Sequence, residues 1–373
     1  MAPKVTLYEK IIQDMLKDIH EGRLKPGDRI PTEAELGEKY KVSRITVIRA
    51  LKELEMRGLL KRVKKKGTFI KEAEAPETDR VHIPAISVVL PFSEEFGYDI
   101  LRGVENVCAE RGYYVTFHNS KYEPQRERDI LEKIVADNLA GAIIYPSAGN
   151  HNIDIYSRMI MSRFPFVLID RTVKGVAAPL VVSNNIQAGY ELTRHLTALG
   201  HKKIAFVCTS VNEALSVSDR YRGYCNALIS EGIVPLPEWL IEDNARLEDI
   251  NSEDVSLRLK INQQRLERVL ALPDPPTAIV AVNDETAMKL IKAAQLRGIA
   301  IPDQLSITGF DNLSAGELFD VPLTTIKQDF TGIGAQAARL VIELQEGTDN
   351  HKAVPERITL ETELVVRKST VKV

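Results

Sequence analysis

The N-terminal part of the fold is decided by residues 26–49, which read PGDRIPTEAELGEKYKVSRITVIR. The opening Pro-Gly-Asp has the chemistry of a turn. Thr32 and Glu35 then have the three-residue spacing of a capping box, which predicts the start of a helix. After a tight connection, Ser43 is placed to cap the helix that follows. The stretch therefore predicts two helices joined by a short turn.

The flanking residues complete a small domain. Apolar residues at helical spacing predict a first helix before this stretch: Tyr8, Ile11, Ile12, Met15, Leu16 and Ile19. After Gly58, alternating residues at 59–63, a basic turn at 64–67 and a return at 68–70 predict a β-hairpin. This order of elements is that of a winged helix-turn-helix, in which the third helix enters the major groove of DNA.

The charge of the chain is distributed unevenly. Residues 1–71 contain 18 Lys and Arg against 10 Asp and Glu, a balance of +8, whereas the remaining residues contain 31 and 42, a balance of −11. A basic head on an acidic body indicates that only the head contacts a polyanion. The alternative is that these charges are merely solvated. The position of Arg44 at the start of a helix, behind a tight turn, favours DNA contact.

The first turn of the third helix is the part that meets base edges in this geometry. Arg44 can bind guanine O6 and N7 in a bidentate manner. Thr46 and the helix N-terminus suit a phosphate oxygen. The lysines at 64–66, beside Gly67, are expected along the minor groove or the DNA backbone.

The motifs of the head are 26–33 (PGDRIPTE), 42–47 (VSRITV), 50–51 (AL) and 67–69 (GTF), with Leu54 and Gly58-Leu59. On these motifs the head, over residues 4–71, resembles the GntR family of winged-helix regulators. That family usually has Arg directly after Thr-Val, whereas here Ile48 stands at that position and Arg49 follows on a different helical face. The DNA-binding residues expected on this basis are Lys4, Glu33, Ser43, Arg44, Thr46, Arg49, Lys65, Lys66 and Gly67.

The rest of the chain has the pattern of an α/β protein. Residues 72–84 are polar and interrupted by proline, which is typical of a linker after the 1–71 head. In 85–373, short β-branched runs alternate with longer helical patterns. The predicted strands are 86–90, 115–118, 142–145, 166–169, 204–208, 278–282 and 305–308, and the predicted helices include 99–111, 187–199 and 285–297. This alternation predicts parallel sheets covered on both faces.

Polar and aromatic residues follow several of these strands. In open parallel sheets, ligands bind beyond the carboxyl ends of the strands. The residues there are Phe96, Tyr98, Ser147, Asp170, Arg171, Asn283, Asp284, Asp311 and Asn312. Such groups suit a polyhydroxy ligand, whose hydroxyls donate and accept and whose apolar face stacks on a ring. Taken singly, Asp284 can instead cap the next helix, and Asp170 can pair with Arg171.

The motifs of the body include 166–171 (FVLIDR), 199–206 (LGHKKIAF), 220–224 (RYRGY), 309–312 (GFDN) and 322–329 (PLTTIKQD). On these the body resembles the effector domain of the LacI/GalR family, itself similar to periplasmic sugar-binding proteins. The resemblance implies a two-lobed, doubly wound domain with the ligand-binding residues Phe96, Tyr98, Ser147, Asp170, Arg171, Arg220, Asn283, Asp311 and Gln328. One departure is the charged stretch 241–264, which is longer than expected and is either a surface elaboration or part of a subunit contact.

A GntR-type head on a LacI/GalR-type body is similar to the arabinose-responsive repressors of Gram-positive bacteria. This implies a homodimer on double-stranded operator DNA that is released by a monosaccharide, with L-arabinose as the expected inducer. Sugar binding is expected to close two lobes and to change the spacing of the heads. A hexose, a sugar phosphate or a purine as ligand, and activation instead of repression, stay open. Asp170 and Asp311 argue against an anionic ligand, because carboxylates repel phosphate.

Other classes of protein are disfavoured by the sequence. It contains no Gly-rich phosphate loop, GxSxG, HExxH or paired-Cys motif, so we expect neither an enzyme nor a metal or cofactor site. Cys108, Cys208 and Cys225 are far apart and are expected as reduced, buried residues. No apolar run approaches the ~20 residues of a membrane span and no signal peptide opens the chain, so a cytoplasmic, nucleoid-associated protein is expected.

Overall fold

The structure is a computed structural model that describes residues 7–20, 23–63, 66–71, 83–91, 95–149, 151–212, 214–242, 255–347 and 356–373. In chain order the helices are α1 (Leu7–His20), α2 (Glu33–Tyr40), α3 (Arg44–Met56), α4 (Glu95–Arg111), α5 (Pro124–Ala136), α6 (Ile153–Met161), α7 (Asn185–Ala198), α8 (Leu215–Ser230), α9 (Val255–Leu270), α10 (Asp284–Leu296), α11 (Ser314–Glu317) and α12 (Phe330–Glu346). A short 3₁₀ helix covers Pro237–Trp239.

The strands are β1 (Leu60–Val63), β2 (Gly67–Ile70), β3 (Ile83–Leu90), β4 (Tyr114–Asn119), β5 (Leu139–Ile144), β6 (Phe166–Ile169), β7 (Leu180–Ser183), β8 (Ile204–Cys208), β9 (Leu240–Glu242), β10 (Ala278–Ala281), β11 (Ser306–Thr308), β12 (Thr325–Gln328), β13 (Arg357–Leu360) and β14 (Thr362–Val365).

The head, α1 to β2, is a winged helix-turn-helix, and its predicted caps are confirmed. The Thr32 side chain accepts a hydrogen bond from the Glu35 backbone N–H, and the Glu35 carboxylate accepts one from the Thr32 backbone N–H at 2.7 Å. Lys41 ends α2 in the left-handed conformation, with φ of 55°. Ser43 then caps α3. Since each cap satisfies backbone N–H groups that a helix end leaves unpaired, the turn between α2 and α3 is fixed locally.

One apolar core holds the head together. It is formed by the inward faces of α1 and α3 with the ends of the hairpin, and its buried members include Ile11, Met15, Val47, Leu54 and Ile70. The hairpin pairs β1 with β2 in antiparallel register, from Leu60 opposite Ile70 to Val63 opposite Gly67. The core therefore fixes the wing beside α3.

The body contains parallel sheets, as the alternating pattern predicts. One sheet has six strands in the order β13-β7-β6-β5-β3-β4, and another has four in the order β11-β10-β8-β9. The pairs β3–β4, β3–β5, β5–β6, β8–β9, β8–β10 and β10–β11 are parallel. A further pair, β12–β14, is antiparallel.

Strand β8 shows why the buried strands have unbroken apolar sequences. Ile204, Phe206 and Cys208 point into one core, and Ala205 and Val207 point into the core on the opposite face. Since successive side chains of a strand alternate between faces, a sheet covered on both sides needs apolar residues at every position.

The described residues group into two compact units. One comprises those within Met1–Phe92, Gly103–Leu180 and Ala335–Ile358, and the other those within Ser93–Arg102, Val181–Gly334 and Thr359–Val373. The second unit contains the four-stranded sheet and most of the residues expected to bind a ligand. The predicted linker at 72–84 lies mostly outside the described residues, so the predicted boundaries of the head stay a prediction.

The stretch 241–264 is only partly described. Its first residues end β9, where Ile241 is buried, and its last ones begin α9, where Ile261 and Asn262 are buried. Residues 243–254 lie outside the described residues. Both described ends of the stretch thus contribute buried side chains, and its role as a surface elaboration or a subunit contact stays a prediction.

Candidate functional site

The start of α3 carries the first group of predicted site residues. Ser43 Oγ accepts a hydrogen bond from the Thr46 backbone N–H at 3.3 Å, and the two hydroxyl oxygens are 2.9 Å apart. The hydroxyls are thereby held at the N-terminus of α3, where backbone N–H groups point outward. A helix N-terminus of this kind attracts an anion such as a phosphate oxygen.

Glu33 holds two arginines together. Its Oε2 accepts a hydrogen bond from Arg44 Nε at 3.0 Å, and its Oε1 accepts one from Arg62 Nη2 at 2.6 Å. Arg44 still exposes 78% of its side chain. All three residues line a groove of about 1040 Å³ between α2, α3 and the wing. Because a carboxylate repels phosphate, Glu33 is better suited to orienting the arginines than to contacting DNA itself.

Arg62 is a residue that sequence reasoning did not single out. It lies on β1, the strand that follows α3, and is 18 positions from Arg44 in the chain. The signal that could have found it is its place beside Lys61, directly before the basic turn at 64–67.

Arg49 contacts α1 and is not among the residues that line the groove. Its guanidinium carbon is 4.3 Å from the centre of the Tyr8 ring on α1, the geometry of a cation–π contact. The structure thus gives Arg49 a partner inside the head.

Gly67 is required where the wing turns back. Its φ is +120°, a conformation that L side chains rarely adopt, and a Cβ there would come within 2.7 Å of Arg29 Nε. Lys66 beside it is exposed. Lys4 and Lys65, also predicted to contact DNA, lie outside the described residues.

Arg220 is the centre of the second group, in the second unit. This side chain is nearly buried on α8, where Nε donates to Asn185 Oδ1 at 2.9 Å and Nη1 donates to the Val282 carbonyl at 2.7 Å. Its Nη2 is 3.9 Å from Asp311 Oδ1, and its guanidinium carbon is 3.6 Å from the centre of the Phe310 ring. The cation is therefore fixed on three sides before any ligand binds.

Asp311 and Gln328 continue this network. Gln328 Nε2 donates to Asp311 Oδ1 at 2.6 Å, and Gln328 Oε1 accepts a hydrogen bond from Ser183 Oγ at 2.6 Å. Asp311 has φ of +118°, which is strained for a residue with a side chain. Its backbone N–H donates to the Ile326 carbonyl at 2.8 Å, so pairing with β12 holds the strained residue in place.

Asn283, and not Asp284, caps the helix that follows β10. Asn283 caps α10, since its Oδ1 accepts from the Thr286 backbone N–H at 2.9 Å. The prediction that Asp284 caps this helix is wrong. Asp284 is fully buried instead, and it accepts hydrogen bonds from Thr325 Oγ1 at 2.5 Å and from the Leu313 backbone N–H at 2.8 Å. Burial raises the pKa of its carboxyl, and these hydrogen bonds oppose the rise.

Phe96 and Tyr98 lie on the first turn of α4, because the helix begins at Glu95. The Phe96 ring is 5.2 Å from the Phe330 ring, tilted by 33°. Tyr98 is exposed. Glu95 accepts hydrogen bonds from the backbone N–H and the hydroxyl of Ser314. Phe96 is thus packed in the second unit, whereas Tyr98 is not.

The first unit carries the remaining predicted residues. Asp170 and Arg171 follow β6 and form an ion pair, with Oδ2 3.5 Å from Nε, as the alternative interpretation allowed. The Arg171 guanidinium lies 5.0 Å from the centre of the Tyr145 ring, at the end of β5. Asp170 has φ of 62°. A cation, a carboxylate and a ring are therefore grouped at the carboxyl ends of two neighbouring strands.

Ser147 is positioned by a buried carboxylate that sequence reasoning missed. Its backbone N–H donates to Glu127 Oε2 at 2.5 Å, while Glu127 Oε1 accepts from Asn152 Nδ2 at 3.1 Å and from Tyr156 Oη at 3.0 Å. Glu127 lies on α5 and is 1% exposed. The sequence gives no signal of this role, because a single Glu in a polar helix looks the same whether its side chain is buried or exposed.

The described residues contain no grouping of three His, Cys, Asp or Glu side chains that could hold a metal ion. Within the same residues, no helix combines the length and the apolar character needed to cross a bilayer. The groups assembled around Arg220 are hydrogen-bond donors and acceptors beside an aromatic face. They are suited to binding a polar ligand.

Comparison with known proteins agrees with both resemblances. Residues 7–70 match the model of bacterial regulatory proteins of the gntR family, and residues 193–370 match the model of a periplasmic binding protein-like domain. Among solved structures, the transcription regulator CcpA of Lactococcus lactis superposes with a TM-score of 0.67 at 24% identity, covering 77% of this chain and 99% of that one. The predicted fold class is confirmed.

Two relatives match almost end to end. The arabinose metabolism transcriptional repressor of Geobacillus stearothermophilus is 32% identical over 367 residues, which are 97% of each chain. That of Halalkalibacterium halodurans is 31% identical over 375 residues, 98% of this chain and 96% of the other. The prediction of a transcriptional regulator, and not an enzyme, is confirmed. The chain belongs to the same family as these repressors, in which a GntR-type DNA-binding head precedes a periplasmic binding protein-like domain.

Proposed function

We propose that the protein is a cytoplasmic repressor that binds operator DNA as a homodimer and leaves it when L-arabinose binds. The observation that carries the proposal is the group of Arg220, Asp311 and Gln328 beside the Phe310 ring. It offers donors, an acceptor and an apolar face in one nearly buried place. The names of the two relatives support arabinose as the sugar.

The charge of this group favours a neutral ligand. The Arg220 cation is matched by the Asp311 carboxylate, so a phosphate approaching the guanidinium would also meet a negative charge. In the first unit, Asp170 has the same relation to Arg171. A sugar hydroxyl can accept from a guanidinium and donate to a carboxylate, and therefore suits both pairs.

DNA binding is assigned to α3 and the wing. Arg44 is exposed at the start of α3, and Arg62 is held beside it by Glu33. The sugar must bind more tightly to the state with weak DNA affinity, because a ligand shifts an equilibrium only by its differential affinity. Coupling of this kind is typically about 1–3 kcal/mol, or roughly 5- to 150-fold in operator affinity.

The test uses two variants and two readouts. Arg44→Ala is expected to weaken specific operator binding by roughly 5- to 150-fold, the value of one bidentate base contact, while L-arabinose binding stays as in the wild type. Asp311→Asn is expected to bind the operator normally and to stay on it when L-arabinose is added. Calorimetry measures the sugar, and fluorescence anisotropy of a labelled duplex measures the DNA.

The controls are Arg23→Ala and Asp303→Asn. Arg23 is an exposed arginine that pairs with Asp18 on α1, and Asp303 is an exposed acidic residue. Thermal-shift measurement of the wild type with L-arabinose, D-galactose, D-ribose, glucose 6-phosphate and hypoxanthine identifies the ligand, since a ligand at 100 times its Kd stabilises by about 2.7 kcal/mol. Normal sugar binding by Asp311→Asn, or a footprint unchanged by every monosaccharide, contradicts the proposal.

A further inference from the structure

The outward face of α3 is apolar where it begins. Ile45 exposes 79% and Ile48 exposes 38% of their surface, whereas Val47 and Leu51 face the core of the head. Residues three apart in a helix lie side by side, so Ile45 and Ile48 form one strip. An outward helical face is normally polar, because exposed apolar surface is unfavourable in water.

The neighbouring cations leave this strip uncovered. Arg49, on the next turn, lies over the Tyr8 ring, and Arg44, on the first turn, is bonded to Glu33. Each contact engages the charged end of a long side chain next to an isoleucine of the strip in the sequence. Both isoleucines stay exposed beside these cations.

The surroundings of the strip identify its occupant as DNA. Arg44 directly precedes Ile45 on α3, Glu33 pairs with both Arg44 and Arg62, and the head carries a balance of +8. A cationic rim around an apolar strip suits a polyanion that also presents small apolar groups. In the major groove the apolar group on the base edges is the C5-methyl of thymine.

We propose that Ile45 and Ile48 select thymine in the operator by packing against its methyl group, an inference that rests on the proposed placing of α3 in the major groove. Ile48 is the principal specificity residue of the two. It stands one position before Arg49, whose guanidinium is held by Tyr8 and so does not read the base that Ile48 reaches.

The test removes the methyl group from the DNA and its partner from the protein. Wild-type protein first selects a duplex from random-sequence DNA, and each thymine of one half-site is then replaced by deoxyuridine, which lacks only the methyl. At a fixed salt concentration, one such replacement is expected to weaken binding by about three- to fivefold. With Ile48→Ala the two duplexes should bind equally, which is the signature of a coupled pair in a double-mutant cycle.

A control and a second variant sharpen the result. Met56→Ala changes an apolar residue that is 67% exposed at the far end of the same helix, and it should keep the deoxyuridine effect. Selection with Ile48→Arg should replace a thymine by guanine at the affected position, since arginine binds guanine bidentately. Because both isoleucines are exposed, circular dichroism of the variants should match that of the wild type.

Failure of this inference can be distinguished from failure of the proposed function. If wild-type protein binds the selected duplex and no deoxyuridine replacement alters its affinity, thymine reading by α3 is overturned while the repressor function stands. If Ile48→Ala changes the number of copies in the assembly, measured as its mass in solution, and leaves the deoxyuridine effect intact, the strip is a contact between copies of the chain. The inference is then overturned. If no sequence is selected, the proposed function fails as well.

Discussion

Arg220 shows at the scale of one residue how a nearly buried charge is kept stable. Removing a cation from water costs several kcal/mol unless hydrogen bonds and a counter-charge replace the lost hydration. Here the guanidinium donates to Asn185 and to the Val282 carbonyl, lies over Phe310 and faces Asp311. The same contacts leave one edge of the guanidinium beside a carboxylate, which is the arrangement that a sugar hydroxyl can bridge.

Because Asp311 is its counter-charge, Arg220 contributes to the stability of the fold as well as to the site. Arg220→Met is expected to destabilise the chain by about 3 kcal/mol, because it leaves the Asp311 carboxylate nearly buried without its cation. Urea unfolding followed by circular dichroism measures this loss. Arg194→Met, on α7, is the control, since Arg194 is an exposed arginine. An equal loss in both variants would show that the pairing with Asp311 contributes nothing special.

The site was only partly predictable from the sequence. The motifs identify Arg220, Asp311 and Gln328, and the structure brings these three together. They do not identify Asn185 or Ser183, which hold Arg220 and Gln328 in position. Partners of this kind are 35 and 145 positions apart in the chain, and their meeting depends on the order of strands in the sheets. The sequence pattern alone does not show which distant residues lie close together in the folded chain.

At the scale of elements, prediction succeeds where a single local cause decides. Buried strands need unbroken apolar runs, and the bounds predicted for β6 and β8 agree with the structure. Prediction fails for strands that have both buried and exposed positions. Strands β12 (TIKQ) and β14 (TELV) mix polar and apolar residues because part of their surface is exposed, so they were not predicted as strands.

The cap of α2 gives a prediction at the same scale. Thr32→Ala removes the hydroxyl that accepts from the Glu35 backbone N–H and is expected to destabilise the head by about 1 kcal/mol. Hydrogen exchange of the α2 and α3 amides measures the effect, since the loss should be confined to the head. Glu38→Ala, an exposed substitution on α2 away from its start, should leave exchange nearly unchanged. Faster exchange throughout the body would refute a local capping role.

At the scale of the whole chain, the last eight residues complete the second unit. Ser369 Oγ donates to the Ile307 carbonyl, Val371 N–H donates to Ser306 Oγ, and Val373 N–H donates to the Leu199 carbonyl. His201 ties this segment to the sheet, with Nδ1 2.8 Å from Thr277 Oγ1 and Nε2 3.0 Å from the Val371 carbonyl. The C-terminal segment is thus packed as an integral part of the unit.

This packing predicts how the stability of the protein depends on pH. Burial lowers the pKa of His201 below its ordinary value of 6.5, and the hydrogen bond to Val371 only partly opposes this. Above pH 6.5 the ring is neutral in both the folded and the unfolded chain, so its contribution is fully present. As the pH falls from 6.5 towards the lowered pKa, the unfolded chain takes up a proton that the folded chain does not, and stability is lost. Each such pH unit costs about 1.4 kcal/mol per histidine.

The test compares thermal unfolding of wild-type protein and His201→Gln at pH 7.5 and 5.5. This range lies above the ordinary pKa values of Asp and Glu, 3.8 and 4.5. His195 and His118, both half-buried with a lowered pKa, remain in the variant, so the variant should lose part of the decrease in Tm and not all of it. If both proteins lose the same number of degrees on acidification, the proton is taken up elsewhere, and the neutral His201 ring is not what makes the packed C-terminal segment sensitive to acid.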